Sequence, residues 1–177
     1  MKMNVTEQEL EAHYRWAVET PSDINIHLPM LRALASVCDH VTEMGTRTGV
    51  STRALLTEAC IVRAYDLQID PQVEALFEKS RSLGRDHRYI KGDTLAIDIE
   101  PTDLLFIDTD HTYQQLSQEL RLHGHKARRF LAFHDTDKPF GGELLPAIIE
   151  FLACNKHWRV RSHNIHCHGF TVLERSV

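Results

Sequence analysis

Nine residues, EMGTRTGVS at 43–51, constrain this chain more than any other stretch. They follow the apolar residues around Val41 and lead into the helix-forming STRALLTEA, so the local order is strand, glycine turn, helix. Gly45 allows a sharp turn where a side chain would clash. Gly49, four residues on, would let backbone approach a ligand as the helix begins. The first N–H groups of a helix have no partner within it and suit a polar small molecule. The spacing is not G-x-G-x-x-G, so the dinucleotide fingerprint is absent.

The remaining chain repeats this alternation. Two helices come first. One runs from a capping box of Thr6 and Glu9 with Leu10, Tyr14, Ala17 and Val18 on one face; the other starts near His27–Pro29 and buries Leu28, Leu31, Leu34, Ala35 and Cys38. Strands are expected at about 40–44, 61–67, 87–91, 103–110 and 129–135, with helices after the first (to about Glu58), after Asp70-Pro71, from about Tyr113, and over 144–153. Two closing strands, HWRVRSH and GFTVLER, are joined by a link short enough to permit only an antiparallel hairpin. Strand–helix alternation at this spacing predicts a parallel sheet covered on both faces. The expectation is one α/β domain over 1–177: N-terminal helices over 1–38 and, over 39–177, a Rossmann-like core with a mostly parallel seven-stranded sheet ending in an antiparallel hairpin.

Composition narrows the partners. With 20 basic and 25 acidic residues, the net charge of -5 argues against nonspecific nucleic-acid binding. The run HGHKARR at 123–129 reads as a solvated connection, with His123 and His125 exposed at a helix end. No apolar run approaches the roughly 18 residues of a membrane span, and MKMNVTEQEL is too polar for a signal peptide. Cys38, Cys60, Cys154 and Cys167 are scattered without a CxxC pair, the pattern of reduced thiols in a cytoplasmic protein. The segment HNIHCHG, with His163, His166, Cys167 and His168, matches no standard structural zinc spacing and is expected to be structural or idle.

In an open α/β sheet, ligands bind at the carboxyl ends of the strands, where strand order reverses. Here every one of the first five strands ends in polar residues: Glu43 and Gly45; Asp66; Asp93; Asp108, Asp110 and His111; His134 and Asp135. One such acid is commonly a helix cap. Five strand ends together point to a site, with Asp66 placed to accept both hydroxyls of a ribose.

At these residues the chain resembles a known family. E-x-G-x-x-x-G-x-S at 43–51 is similar to the first motif of class I S-adenosylmethionine (SAM) methyltransferases. FIDTDHTY and FLAFHDTD, with SDINIHLPMLRALA and LLPAIIEFLA, resemble the small branch that includes cephalosporin hydroxylase-like proteins and metal-dependent sugar O-methyltransferases; the resemblance covers about Pro21 to Arg175. It implies SAM as cofactor. Glu43, Gly45, Thr46, Gly49 and Ser51 would lie around its methionine and ribose, Asp66 on the ribose, Asp93 beside the adenine, and Asp108 at the inner end. It also implies a divalent cation on Asp108 and the 134–135 pair, with Asp110 or His111 as base. The chain departs from the family at His134, where an acid is usual. Magnesium prefers oxygen ligands, so that position takes water, a softer ion binds, or there is no ion. KARR replaces the glycine turn common before strand five, and lid helices beyond the N-terminal pair are missing. The acceptor cleft is then either open or closed by a second copy of the chain.

The leading expectation is SAM-dependent methylation of a small-molecule hydroxyl. Two others stand beside it: a SAM- or sugar-binding module without transfer activity, and a metal-dependent oxygenase using Asp108, His111 and His134.

Overall fold

A computed structural model describes residues 5–58 and 61–176. Cys60 lies outside the described residues. Two helices, α1 (Val5–Glu19) and α2 (Leu28–Ala35), precede the alternating part: β1 (His40–Met44), α3 (Val50–Glu58), β2 (Ile61–Asp66), α4 (Pro71–Ser82), β3 (Asp86–Lys91), β4 (Thr102–Ile107), α5 (Tyr113–His123), β5 (Ala127–His134) and α6 (Gly141–Cys154). The strands β6 (Trp158–Asn164) and β7 (Phe170–Arg175) follow. All seven strands form one sheet in the order β3-β2-β1-β4-β5-β7-β6. The first five pair in parallel, and β7 inserts antiparallel between β5 and β6. The expected α/β core, a mostly parallel seven-stranded sheet ending in an antiparallel hairpin, is the observed one.

Side-chain alternation along the strands divides the core in two. Val41, Val62, Leu104, Phe106, Phe130 and Val172 face one side, where α3 and α4 bring Leu55, Val73 and Phe77, and the N-terminal helices add Leu28 and Leu31. Met44, Leu105, Ile107, Leu131, Phe133 and Leu173 face the other, covered by Leu116 and Leu120 of α5 and by Leu144 and Ile148 of α6. Helix α4 starts as its sequence dictates, with Asp70 accepting from Gln72 and Val73 N–H and Pro71 in the first turn. No described helix is long and apolar enough to cross a membrane.

Four local expectations need correction. Val5 is already helical, so Thr6 lies inside α1 and cannot be its N-cap; Glu9 instead pairs with Lys79 at 2.6 Å. Strand β4 stops at Ile107 rather than Asp110. The Asp108 N–H still bonds to Met44 O at 2.9 Å, and the chain then turns away over Gly45. His123 is buried, its Nε2 donating to Thr94 O at 2.7 Å, because the last turn of α5 packs under the loop after β3. Lys126 and Arg129 are not simply solvated: the first pairs with Asp98, the second with Val37 O.

Candidate active site

The sheet changes winding direction at β1. From it the chain moves outward to β2 and β3, then returns to β4 on β1's other side. The loops leaving β1 and β4 therefore part at their carboxyl ends, and a cleft of about 840 Å³ opens there. Gly45, Thr46, Ser51, Asp66, Asp93, Asp108, Asp110, His111 and Asp135 line it, nine of the twelve residues singled out from the sequence.

The β1–α3 loop is held from both sides. Gly45 has φ +86°, and a Cβ there would sit 2.0 Å from the Asp108 carbonyl oxygen, so only glycine allows the two loops to meet. Asp66 Oδ2 accepts from Thr46 N–H (2.9 Å), Arg47 N–H (2.8 Å) and the Thr46 hydroxyl (3.0 Å), while Oδ1 accepts from Gln68 N–H at 3.2 Å. Burial acts to raise the Asp66 pKa, yet these donors outweigh it and hold the carboxyl below its ordinary value. Asp66 is thus a loop clamp as well as a cleft wall. Asp93 is exposed and accepts from Leu95 N–H at 2.9 Å.

Glu43 and Gly49 do not line the cleft. Glu43 points inward and is fully buried, accepting from Ser51 Oγ at 2.6 Å and Thr52 Oγ1 at 2.8 Å. Burial, aided by Asp108 and Asp66, pushes its carboxyl up to about 8. It ties β1 to the first turn of α3. Gly49 (φ +71°) makes room for a different neighbour than a ligand: a Cβ would meet Val73 Cγ2 at 2.9 Å, so the glycine lets α3 pack on α4.

At the inner end of the cleft, carboxylates and imidazoles interlock. His111 Nε2 lies 2.8 Å from Asp135 Oδ2 and 3.8 Å from Asp108 Oδ1; His134 Nδ1 lies 3.0 Å and 3.4 Å from the same two groups. Asp108 and Asp135 raise His111 to about 9. Burial opposes charge on His134, but the same two carboxylates win and raise it to about 10. Asp108 and Asp135 are held below their ordinary values in spite of burial. Each of the two carboxylates thus has an imidazole partner. Among the described residues, Asp108, His111 and Asp135 bring one ligand atom each within 4.8 Å of one another. His134 stands behind them: its Nε2 faces the carbonyls of Asp23 (2.9 Å) and Cys167 (3.1 Å), anchoring two loops. Asp110 stays apart at the mouth, exposed, accepting from the Thr112 hydroxyl at 3.3 Å.

Four participants carried no signal that sequence reading used. His168, from the HNIHCHG segment expected to be structural or idle, contacts Asp135 Oδ1 through Nδ1 at 3.0 Å, and its neighbours Cys167 and Gly169 share its left-handed backbone. Sheet order alone brings this connection beside β5. Glu119 of α5 is buried beneath the cleft, accepting from Thr94 (2.6 Å), Thr109 (2.8 Å) and Gln115 (2.9 Å). Arg47 and Asp23, both in quoted motifs, form an ion pair at the cleft wall. The thiols of Cys38, Cys154 and Cys167 are free.

Residues 42–136, more than half of the chain, match the family model described as "Methyltransferase domain". The chain belongs to this family, with the class I methyltransferase fold. Among solved structures it is similar to an O-methyltransferase from Bacillus cereus in complex with SAH (16% identity, TM-score 0.65, covering 99% of this chain and 93% of that one). It is also similar to the N-methyltransferase NodS from Bradyrhizobium japonicum WM9 in complex with S-adenosyl-L-homocysteine (13%, 0.64, 97% and 99%), and to cofactor-bound Rv0187 from MTB (18%, 0.62, 98% and 90%). No curated protein matches the sequence.

Proposed function

We propose that the chain transfers the methyl group of SAM to a hydroxyl of a small-molecule acceptor, with a divalent cation at the acid–histidine cluster. One observation carries the reading: a single cleft runs from the β1–α3 loop past Asp66 and Asp93 and ends at Asp108, His111 and Asp135. SAH in the similar structures supports SAM as the ligand of that cleft. Its adenosine would lie toward Asp66 and Asp93, leaving the methyl donor beside the cluster. The fold is shared by O- and N-methyltransferases, and the choice of a hydroxyl rests on the cluster. An alcohol needs its proton removed as the methyl group arrives, and carboxylates and a cation serve that need.

Two carboxylates and one imidazole fit a cation of the manganese, iron or zinc type better than magnesium. When bound, it would lower the hydroxyl's pKa. Transfer is an in-line displacement: the acceptor oxygen bonds to the methyl carbon as the carbon–sulfur bond breaks, and the sulfonium leaves as neutral thioether. A His111 that holds the cation through Nε2 has no lone pair left there for the proton, so the proton goes to Asp110 at the mouth. Positioning of the two reactants in one cleft supplies much of the acceleration.

Calorimetric titration with S-adenosylhomocysteine, with and without Mn²⁺, tests the reading. Saturable binding is expected, and Asp108→Asn should abolish transfer while leaving cofactor affinity within about 1 kcal/mol. A protein that binds no S-adenosylhomocysteine under either condition refutes it.

A further inference from the structure

Both oxygens of Asp135 are engaged, and by different parts of the fold. Oδ2 lies 2.8 Å from His111 Nε2 and 3.0 Å from His134 Nδ1, on the side of the other candidate ligands. Oδ1 lies 3.0 Å from His168 Nδ1, and because an ionised carboxylate only accepts, His168 donates. The connection between β6 and β7 that delivers His168 is braced by its backbone. Asp137 N–H donates to His168 O at 2.6 Å, and a Cβ at Gly169 would sit 2.3 Å from Asp137 N. Cys167 and His168 both have left-handed backbones (φ +43° and +63°), strained for any residue with a side chain. Glycine would suit position 168 better and keep that brace. What histidine adds is an imidazole on Asp135, its ring flanked by His134 and Phe140 at centroid distances of 6.3 and 6.0 Å.

We infer that His168 is a positioning residue that sets which cation the cluster accepts: by keeping Asp135 Oδ1 occupied it leaves Oδ2 alone to the ion, which disfavours calcium. This rests on the cation of the proposed function. Calcium gathers roughly six to eight oxygens and often takes both from one carboxylate. An Asp135 free of His168 could turn both oxygens toward such an ion; one bound to His168 can do so only by breaking that hydrogen bond. Ions of the manganese, iron or zinc type accept imidazole together with a single carboxylate oxygen, so the restraint takes nothing from them. The same hydrogen bond holds the plane of the carboxylate in advance, and less ordering is left for binding to accomplish. His168 thus acts through Asp135 and selects the ion from a connection 33 residues away in sequence.

The test titrates Mn²⁺, Ca²⁺ and S-adenosylhomocysteine separately by calorimetry into wild type, His168→Gly and His168→Asn. Glycine and asparagine both tolerate the left-handed backbone, and the asparagine amide can donate where the imidazole N–H does. For His168→Gly the expected result is a loss of about tenfold or more in Mn²⁺ affinity, with Ca²⁺ and S-adenosylhomocysteine affinities changed by less than about twofold. His168→Asn should return Mn²⁺ affinity to within about threefold of wild type. Equal losses for the two metal ions would mean that His168 only supports the loop and would overturn the assignment. Unchanged Mn²⁺ affinity in the glycine variant would overturn it too, as would an asparagine variant as weak as the glycine one; each of these leaves the cation reading standing. A wild type that binds no Mn²⁺, or whose Mn²⁺ affinity is lowered neither by Asp108→Asn nor by Asp135→Asn, removes the cation reading and the assignment with it.

Discussion

Replacing Glu43 with glutamine should stabilise the protein at alkaline pH, although the residue stands in the most motif-like stretch of the chain. The carboxyl is fully buried, with a pKa of about 8 in the fold against 4.5 when exposed. A raised folded-state pKa means that the native protein holds a proton the unfolded chain has lost. The stability this contributes is complete below pH 4.5, falls as pH rises, and is gone once pH passes about 8. At 1.36 kcal/mol per pH unit, the gap amounts to on the order of 4–5 kcal/mol; relaxation around the charge should leave about half. A glutamine side chain can accept from Ser51 through its oxygen and donate to Thr52 through its nitrogen, so both contacts at 2.6 and 2.8 Å survive in kind. Urea unfolding of wild type and Glu43→Gln between pH 5 and pH 9 measures the difference. The two should be within about 1 kcal/mol near pH 5, with the variant ahead by ~2 kcal/mol or more at pH 9, or roughly 4–8 °C in melting temperature. Parallel stability curves would show that Glu43 is ionised in the native state and that its burial has been misjudged.

Other consequences are as direct. Gly45→Ala places a Cβ 2.0 Å from the Asp108 carbonyl at φ +86°; denaturant titration should show a loss of ~2 kcal/mol or more, and an unchanged midpoint would refute the close approach. Asp66→Ala should cost about 1–3 kcal/mol of stability by stranding the Thr46 and Arg47 N–H groups, and weaken S-adenosylhomocysteine binding by about tenfold or more, while Asp66→Asn retains most stability. Equal melting temperatures for wild type and the alanine variant would exclude the clamp. Because His111 is raised to about 9, a cation that takes its Nε2 must expel a proton, so Mn²⁺ affinity should climb as pH rises from 6 toward 9. A pH-independent affinity, measured by calorimetry in buffers of different ionisation heat, would exclude His111 as ligand. Zinc should raise the melting temperature no less in His166→Ala than in wild type, since His166 is not among the clustered ligands; a shift that depends on His166 would reveal a site in the β6–β7 connection.

What could be read beforehand was whatever depends on near neighbours in sequence. Strand alternation, the Asp70-Pro71 start of α4 and the turn at Gly45 each encode their structure within a few residues, and so the sheet and the carboxyl-end position of the polar groups were legible. Direction of a side chain was not. Glu43 and Ser51 belong to one motif, yet the alternation within β1 turns Glu43 into the core and makes Ser51 its hydrogen-bond donor. Gly49 was misjudged for a similar reason, its neighbour Val73 coming from another helix. The histidine contributions were least legible: His168 reaches Asp135 across 33 residues, and His134 holds a carbonyl 111 residues away. Nothing local distinguishes such histidines from exposed ones.

The placement of β7 inside β6 bears on how the molecule comes into being during synthesis. The cleft residues from Gly45 to Asp93 lie within one continuous stretch, and the meeting of their loops can form once β4 has been made. The acid–histidine cluster is different, because its braces come from Asp23 at one extreme and Cys167 and His168 at the other. Until β7 seats itself, the flank of β5 offers unpaired N–H and C=O groups and the apolar Phe130, Ala132 and Phe133 to any passing strand. A nascent chain therefore has the β1–β4 side of its cleft before the acid–histidine cluster is braced, and in that interval the bare flank of β5 is where it is most prone to aggregate.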